Sequence, residues 1–111
     1  MYHYTYKLTH IETGEYYIGV RTCTCTPEED KYKGSMVTWK VDRRKLEKVI
    51  MSVHETRLAA NKQETHLIFK HFNHPLNRNY SIPHTKYLPA STKKTARLWQ
   101  RMKMKKLNSE K

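Results

Sequence analysis

Residues 2–21 alternate. Tyr2, Tyr4, Tyr6 and Leu8 take every second position, with His3, Thr5, Lys7 and Thr9 between them, the period of two that belongs to a strand with one covered and one wet face. Thr13-Gly14 then supplies a reversal, because Gly accepts the positive φ of a tight turn. Along the returning arm Tyr16, Ile18 and Val20 point to one side and Tyr17, Gly19 and Arg21 to the other. The pattern predicts an antiparallel hairpin. Gly19 weakens a strand and so marks a close approach by backbone or ligand; between a phenol and a guanidinium, the space suits a phosphate.

Beyond the hairpin, Thr22 to Lys45 carries turn residues without sustained periodicity, a long loop or a loop with one short helix. Its acidic trio Glu28, Glu29 and Asp30 reads as a solvated turn. From Glu47 to His54 the alternation returns, consistent with a third strand beside the hairpin. Glu55-Thr56 offers a helix N-cap, and residues 57–72 follow as good helix formers without Gly or Pro, ended by Pro75. Asn73 to Tyr80 is rich in turn residues, where Asn77 or Asn79 is placed to orient a neighbouring side chain. Pro83 and Pro89 bracket a linker, after which Ser91 is positioned to cap a helix over Thr92 to Leu107. The expected fold is α+β: a small antiparallel three-stranded sheet flanked by helices, with a basic C-terminal helix. Residues 1–82 form the main domain in this reading, and residues 83–111 a linker and an appended helix.

One residue on the first helix stands out. Ala60, Glu64, Leu67, Ile68 and His71 share a face by the i, i+3, i+4, i+7 rule, which puts Glu64 inside an apolar stripe. A buried ionised acid is costly unless a cation or hydrogen-bond donors compensate, and a metal ion is one such compensation. Pairing with a nearby Arg or Lys is the other.

Charge narrows the partner. The chain has 111 residues, 22 Lys+Arg against 10 Asp+Glu and a net charge of +12, an excess that points to a polyanion. Between Thr65 and Ser109 there is no acid at all. In the last helix Lys93, Lys94, Arg97, Arg101 and Lys105 accumulate beside a narrow apolar strip of Leu98, Trp99 and Met102, a pattern expected to contact double-stranded DNA. The length supports one core burying roughly two thirds of the unfolded surface. No apolar run is long enough to span a bilayer or to serve as a signal peptide, and the two closely spaced thiols, Cys23 and Cys25, suit a reducing compartment. These features place the protein in the cytoplasm.

Several of these pieces together resemble the GIY-YIG nuclease family. Tyr6, ten intervening residues and Tyr17-Ile18-Gly19 stand like its two paired half-motifs, with Tyr4-Thr5 where the family has Gly-Ile. Tyr32-Lys33-Gly34-Ser35 is similar to the Tyr-x-Gly-Ser element of phage-type mobile members, residues 56–64 to their glutamate-bearing helix, and Pro75 to Tyr80 to their closing segment. The resemblance covers residues 2–82 and implies a homing-like, metal-dependent DNA endonuclease. It implies that Tyr6 takes or relays the proton of a water, with its pKa lowered by cationic neighbours, and that Tyr17 hydrogen-bonds the water or phosphate. Arg21 would hold the scissile phosphate, Glu64 one Mg²⁺ or Mn²⁺, and Asn79 would support the site. The rival from another class is a non-catalytic nucleic-acid-binding module on the same scaffold; a third is a basic protein adhering to ribosomes or membranes. Dimerisation on DNA would allow both strands to be cut.

Overall fold

The alternating segments become strands. The computed structural model describes residues 1–110 and gives β1 (Tyr2–His10), β2 (Tyr16–Cys23) and β3 (Leu46–His54), then helix α1 (Arg57–His71) and helix α2 (Ala90–Ser109). The sheet is antiparallel with order β2-β1-β3, the α+β arrangement expected from the pattern. Gly14 makes the reversal at φ 79°, its N–H bonded to the His10 carbonyl at 2.9 Å. Thr56 caps α1, its hydroxyl accepting from the Ala59 N–H at 3.1 Å.

Two apolar clusters lie on opposite faces of the sheet. Register places Tyr4 opposite Arg21, Tyr6 opposite Gly19 and Leu8 opposite Tyr17, so all six point to one face, since directly paired residues share a side. There Tyr4, Tyr6, Leu8, Cys23 and Leu46 pack with Trp39 from the 24–45 loop. The loop, holding two short 3₁₀ turns at Pro27–Glu29 and Arg43–Lys45, is thus a cover for that face. On the other face Tyr16 and Ile18 pack with Ile68 of α1, Phe72 at its C-cap and Ala96 of α2; each large side chain fully buried in this way contributes about 2 kcal/mol.

The C-terminal helix differs from expectation. It begins at Ala90 with Pro89 at the N-cap and no side-chain cap, so Ser91 lies inside it. Ala96 is fully buried, Trp99 stacks on Phe69 with ring centroids 4.9 Å apart, and Gln100 accepts from the Ile82 N–H at 2.9 Å. The linker is also tied in, with Ile82 and Leu88 buried. Residues 83–110 therefore complete the core of residues 1–82. The expected apolar strip is split: Trp99 faces the body, while Leu98 and Met102 stay exposed. Among the described residues no helix is long and apolar enough to cross a membrane.

Candidate functional site

The space at Gly19 is filled from within. A Cβ there would collide with the Tyr6 phenol oxygen, so the ring crosses β2 through the gap the glycine leaves. The gap expected to admit a phosphate thus seats Tyr6 instead.

Three elements contribute to the surroundings of that ring. Tyr6 comes from β1, Tyr17 from β2 and Glu64 from α1, and the carboxylate lies within Coulombic reach of both phenols. Tyr32 of the covering loop joins them, its ring centroid 6.2 Å from that of Tyr6 in an edge-on arrangement. Tyr6 is only 2% exposed, and burial, reinforced by Tyr17, Tyr32 and Glu64, pushes its pKa well above the ordinary phenol range. Arg21 opposes this and is outweighed. The lowered phenol pKa expected from cationic neighbours is therefore reversed: desolvation dominates the charge of Arg21. Burial, then Glu64 and Tyr32, raises Tyr17 as well. Both rings stay neutral donors.

Glu64 is 7% exposed, and burial lifts its pKa to about 7, with Arg57 only partly countering. Its carboxylate makes no hydrogen bond or ion pair among the described residues. The conventional partner for a buried acid is missing. Among the described residues there is no group of three or more His, Cys, Asp or Glu arranged to hold a metal ion, so a cation at Glu64 would have one protein carboxylate and otherwise water or phosphate oxygens.

Arg21 stands on the same sheet face but is not free. Its Nε donates to Asp30 Oδ2 at 3.1 Å and its guanidinium lies 4.2 Å from the Tyr32 ring centroid. Neither terminal nitrogen has a partner among the described residues, which leaves one edge of the fork for an anion.

Asp30, read from sequence as part of a solvated turn, is the anchor of this corner, whereas Glu28 and Glu29 are exposed. It accepts from the Tyr4 hydroxyl at 2.5 Å, from Arg21 and from the Tyr32 N–H at 3.2 Å. Burial acts to raise its pKa, but these donors outweigh it and hold the carboxyl below its usual range. Lys48 on β3 completes the clamp, donating to the Tyr4 hydroxyl at 2.6 Å and to the carbonyls of Asp30 and Tyr32 at 3.0 and 2.8 Å. Neither role is legible from spacing, because Asp30 and Lys48 reach the tyrosines only through loop packing; the short Tyr32-x-Gly34-Ser35 element was the available signal.

Asn79 is placed behind the cluster. The 76–78 segment runs beside β2, with the Tyr16 N–H bonded to Leu76 O at 2.9 Å and the Arg78 N–H to Tyr16 O at 2.7 Å. The Asn79 side chain makes the next rung, accepting from the Ile18 N–H at 3.0 Å and donating to the Ile18 carbonyl at 2.9 Å. It fixes the backbone between Tyr17 and Gly19, and among the described residues it hydrogen-bonds no phenol. Asn77 braces it through Asn79 Oδ1 and its backbone N–H.

On α2, Lys94, Arg97, Arg101 and Lys105 are exposed and fall on one face, opposite the docked one; Lys93 is half-buried and lies off that stripe. Compared with protein families, curated proteins and solved structures, the chain matches none.

Proposed function

We propose that this protein is a metal-dependent DNA endonuclease of GIY-YIG type, homing-like, that hydrolyses phosphodiester bonds in the cytoplasm of its host cell. The observation that carries the reading is an unpartnered Glu64 within Coulombic reach of Tyr6 and Tyr17, whose sheet face also carries Arg21.

Glu64 fits a hard divalent cation, since it offers a largely buried oxygen donor that bonds to no other described residue and still reaches solvent. When bound, Mg²⁺ or Mn²⁺ supplies charge relief to a phosphoryl oxygen. The remaining work falls to the chain. Arg21 holds the phosphate with its free edge, fixed in orientation by Asp30 and Tyr32. Tyr17, half-buried, donates a hydrogen bond to the phosphate or the attacking water. Tyr6, held as a neutral phenol, has a hydroxyl that can donate a hydrogen bond to the water or phosphate and does not act as a phenolate. The basic stripe of α2 grips the duplex backbone and adds affinity without sequence information.

A second reading, a non-catalytic nucleic-acid-binding module, is favoured by the 2% exposure of Tyr6. Supercoiled plasmid incubated with the protein and Mg²⁺ separates the two. The nuclease reading expects nicked or linear product that falls by about a hundredfold or more in Glu64→Ala and in Tyr6→Phe. Cutting that survives both substitutions overturns the site, and plasmid retardation without any cutting establishes the binding module.

A further inference from the structure

A cleft of about 1200 Å³ opens between the loop around Trp39 and the C-terminal half of α2. None of Tyr6, Tyr17, Arg21, Tyr32 and Glu64 lines it, so it is separate from the tyrosine cluster. The chain has two tryptophans, and both stand in its walls. Trp99 is held against Phe69, their rings inclined by only 18°, which fixes that indole before any ligand arrives. Trp39 shows only 8% of its surface and Phe72 none, so the rings open to a ligand are those of Trp99 and Tyr80, both half-buried.

The cleft also carries charge that the protein leaves unanswered. The Lys103 ammonium sits 4.1 Å from the Phe72 ring centroid and 5.3 Å from that of Tyr80. It donates to Phe72 O at 2.7 Å and Asn77 Oδ1 at 2.8 Å, and an ammonium has three donors. No carboxylate among the described residues pairs with it, and burial, with help from Arg78, pushes its pKa down to about 8, the mark of an under-solvated cation. Lys40 and Lys106 stand exposed at the rim without ion pairs among the described residues. Of the lining acids, Glu15 is taken by Arg78 and Asp42 by Arg44, which leaves Glu110 at the mouth as the opposing charge.

These features select a ligand with both flat rings and negative charge. An inorganic anion leaves those rings unused; an apolar molecule leaves Lys103 unanswered. A duplex hides its ring faces in the base stack, whereas an unpaired strand offers them, and basic grooves lined with aromatic side chains take such strands with little regard to sequence.

We propose that this cleft binds an unpaired stretch of a nucleic-acid strand, its bases against Trp99 and Tyr80 and its phosphodiesters on Lys103, Lys106 and Lys40. The choice of ligand rests on the nucleic-acid reading above, while the cleft itself does not. The protein then meets its substrate at two places: the duplex along α2, and a frayed or displaced strand in the cleft.

Because both tryptophans line the cleft, intrinsic fluorescence of the full chain reports it directly. Titration with a short single-stranded oligothymidylate, in EDTA so that cutting plays no part, is expected to give saturable quenching. The affinity is expected to fall about tenfold in Lys103→Met and in the surface double variant Lys40→Glu/Lys106→Glu, and to stay unchanged in Glu28→Gln, an exposed turn residue away from the cleft. The double variant involves no structural bond, so its circular dichroism is expected to match the wild type and its result to stand if Lys103→Met unfolds. The proposal is overturned if the oligonucleotide gives no saturable quenching, if inorganic phosphate or a blunt duplex quenches equally well, or if the double variant binds like the wild type. Plasmid cutting without oligonucleotide quenching removes the cleft proposal alone; quenching without cutting removes the nuclease reading alone.

Discussion

The Tyr6 phenol occupies the volume that Gly19 leaves by having no side chain. The two residues face each other in register across β1 and β2, so the glycine is a requirement of the ring beside it. Gly19→Ala is expected to destabilise the fold by about 1–3 kcal/mol, because the added methyl meets a phenol that is itself fully packed. Thermal denaturation checks the loss. Tyr6→Leu in the same background, which shortens the obstructing side chain, is expected to recover part of it.

Glu64 gives the stability a pH dependence of definite sign. Its folded pKa, about 7, lies above the ordinary 4.5, so the folded state holds a proton that the unfolded state has released between those values. Stability is therefore full below pH 4.5 and falls as pH rises toward 7, by about 3 kcal/mol in total. Urea titrations in EDTA are expected to show Glu64→Gln matching wild type near pH 4 and exceeding it at pH 8. Mg²⁺ at pH 8 is expected to stabilise the wild type and leave the variant unmoved; an equal response in both removes Glu64 as the ion's ligand.

Asp30 holds Tyr4, Arg21 and the Tyr32 backbone together. Its replacement by Ala strands those donors and is expected to cost about 2 kcal/mol. A double-mutant cycle with Lys48→Met measures whether the pair acts as one clamp, and the expected coupling is at least about 0.5 kcal/mol. Additive losses would show two independent anchors.

Asn79→Ala leaves the Ile18 N–H and carbonyl without partners in a buried place, at an expected cost of about 2–3 kcal/mol. Hydrogen exchange at Ile18 is the specific readout. Its amide is expected to lose protection while the amides of β1 keep theirs.

Removing the four exposed cations Lys94, Arg97, Arg101 and Lys105 tests the α2 stripe. On duplex DNA the slope of log affinity against log salt is expected to shrink by about 0.9 for each phosphate that is no longer neutralised, as measured by fluorescence anisotropy. An unchanged slope places the duplex elsewhere on the protein.

Much of this architecture was legible because its cause was local. Alternation over residues 2–21 and 47–54 needs only a half-covered sheet, and Glu64 betrayed itself by standing in the stripe of Ala60 and Ile68. What sequence hid was long-range and electrostatic. Asp30 looked like one of three solvated acids until the loop folded it onto Tyr4. Cationic neighbours suggested an acidified Tyr6, whereas burial, which no spacing of residues reports, pushes it the other way. The last helix looked detachable because its docking depends on a small residue, Ala96, and on a Trp99 whose partner Phe69 lies thirty positions earlier.

That docking has a thermodynamic corollary for any polyanion the helix meets. A charged tail that wanders in solution must surrender its freedom on association, and the forfeited chain entropy subtracts from the attraction. Here the positive side chains are already mounted at fixed intervals on a rod seated against the core by Ala96, Trp99 and Lys103. Calorimetry of duplex association is accordingly expected to show a small heat-capacity change, the signature of two preformed surfaces meeting.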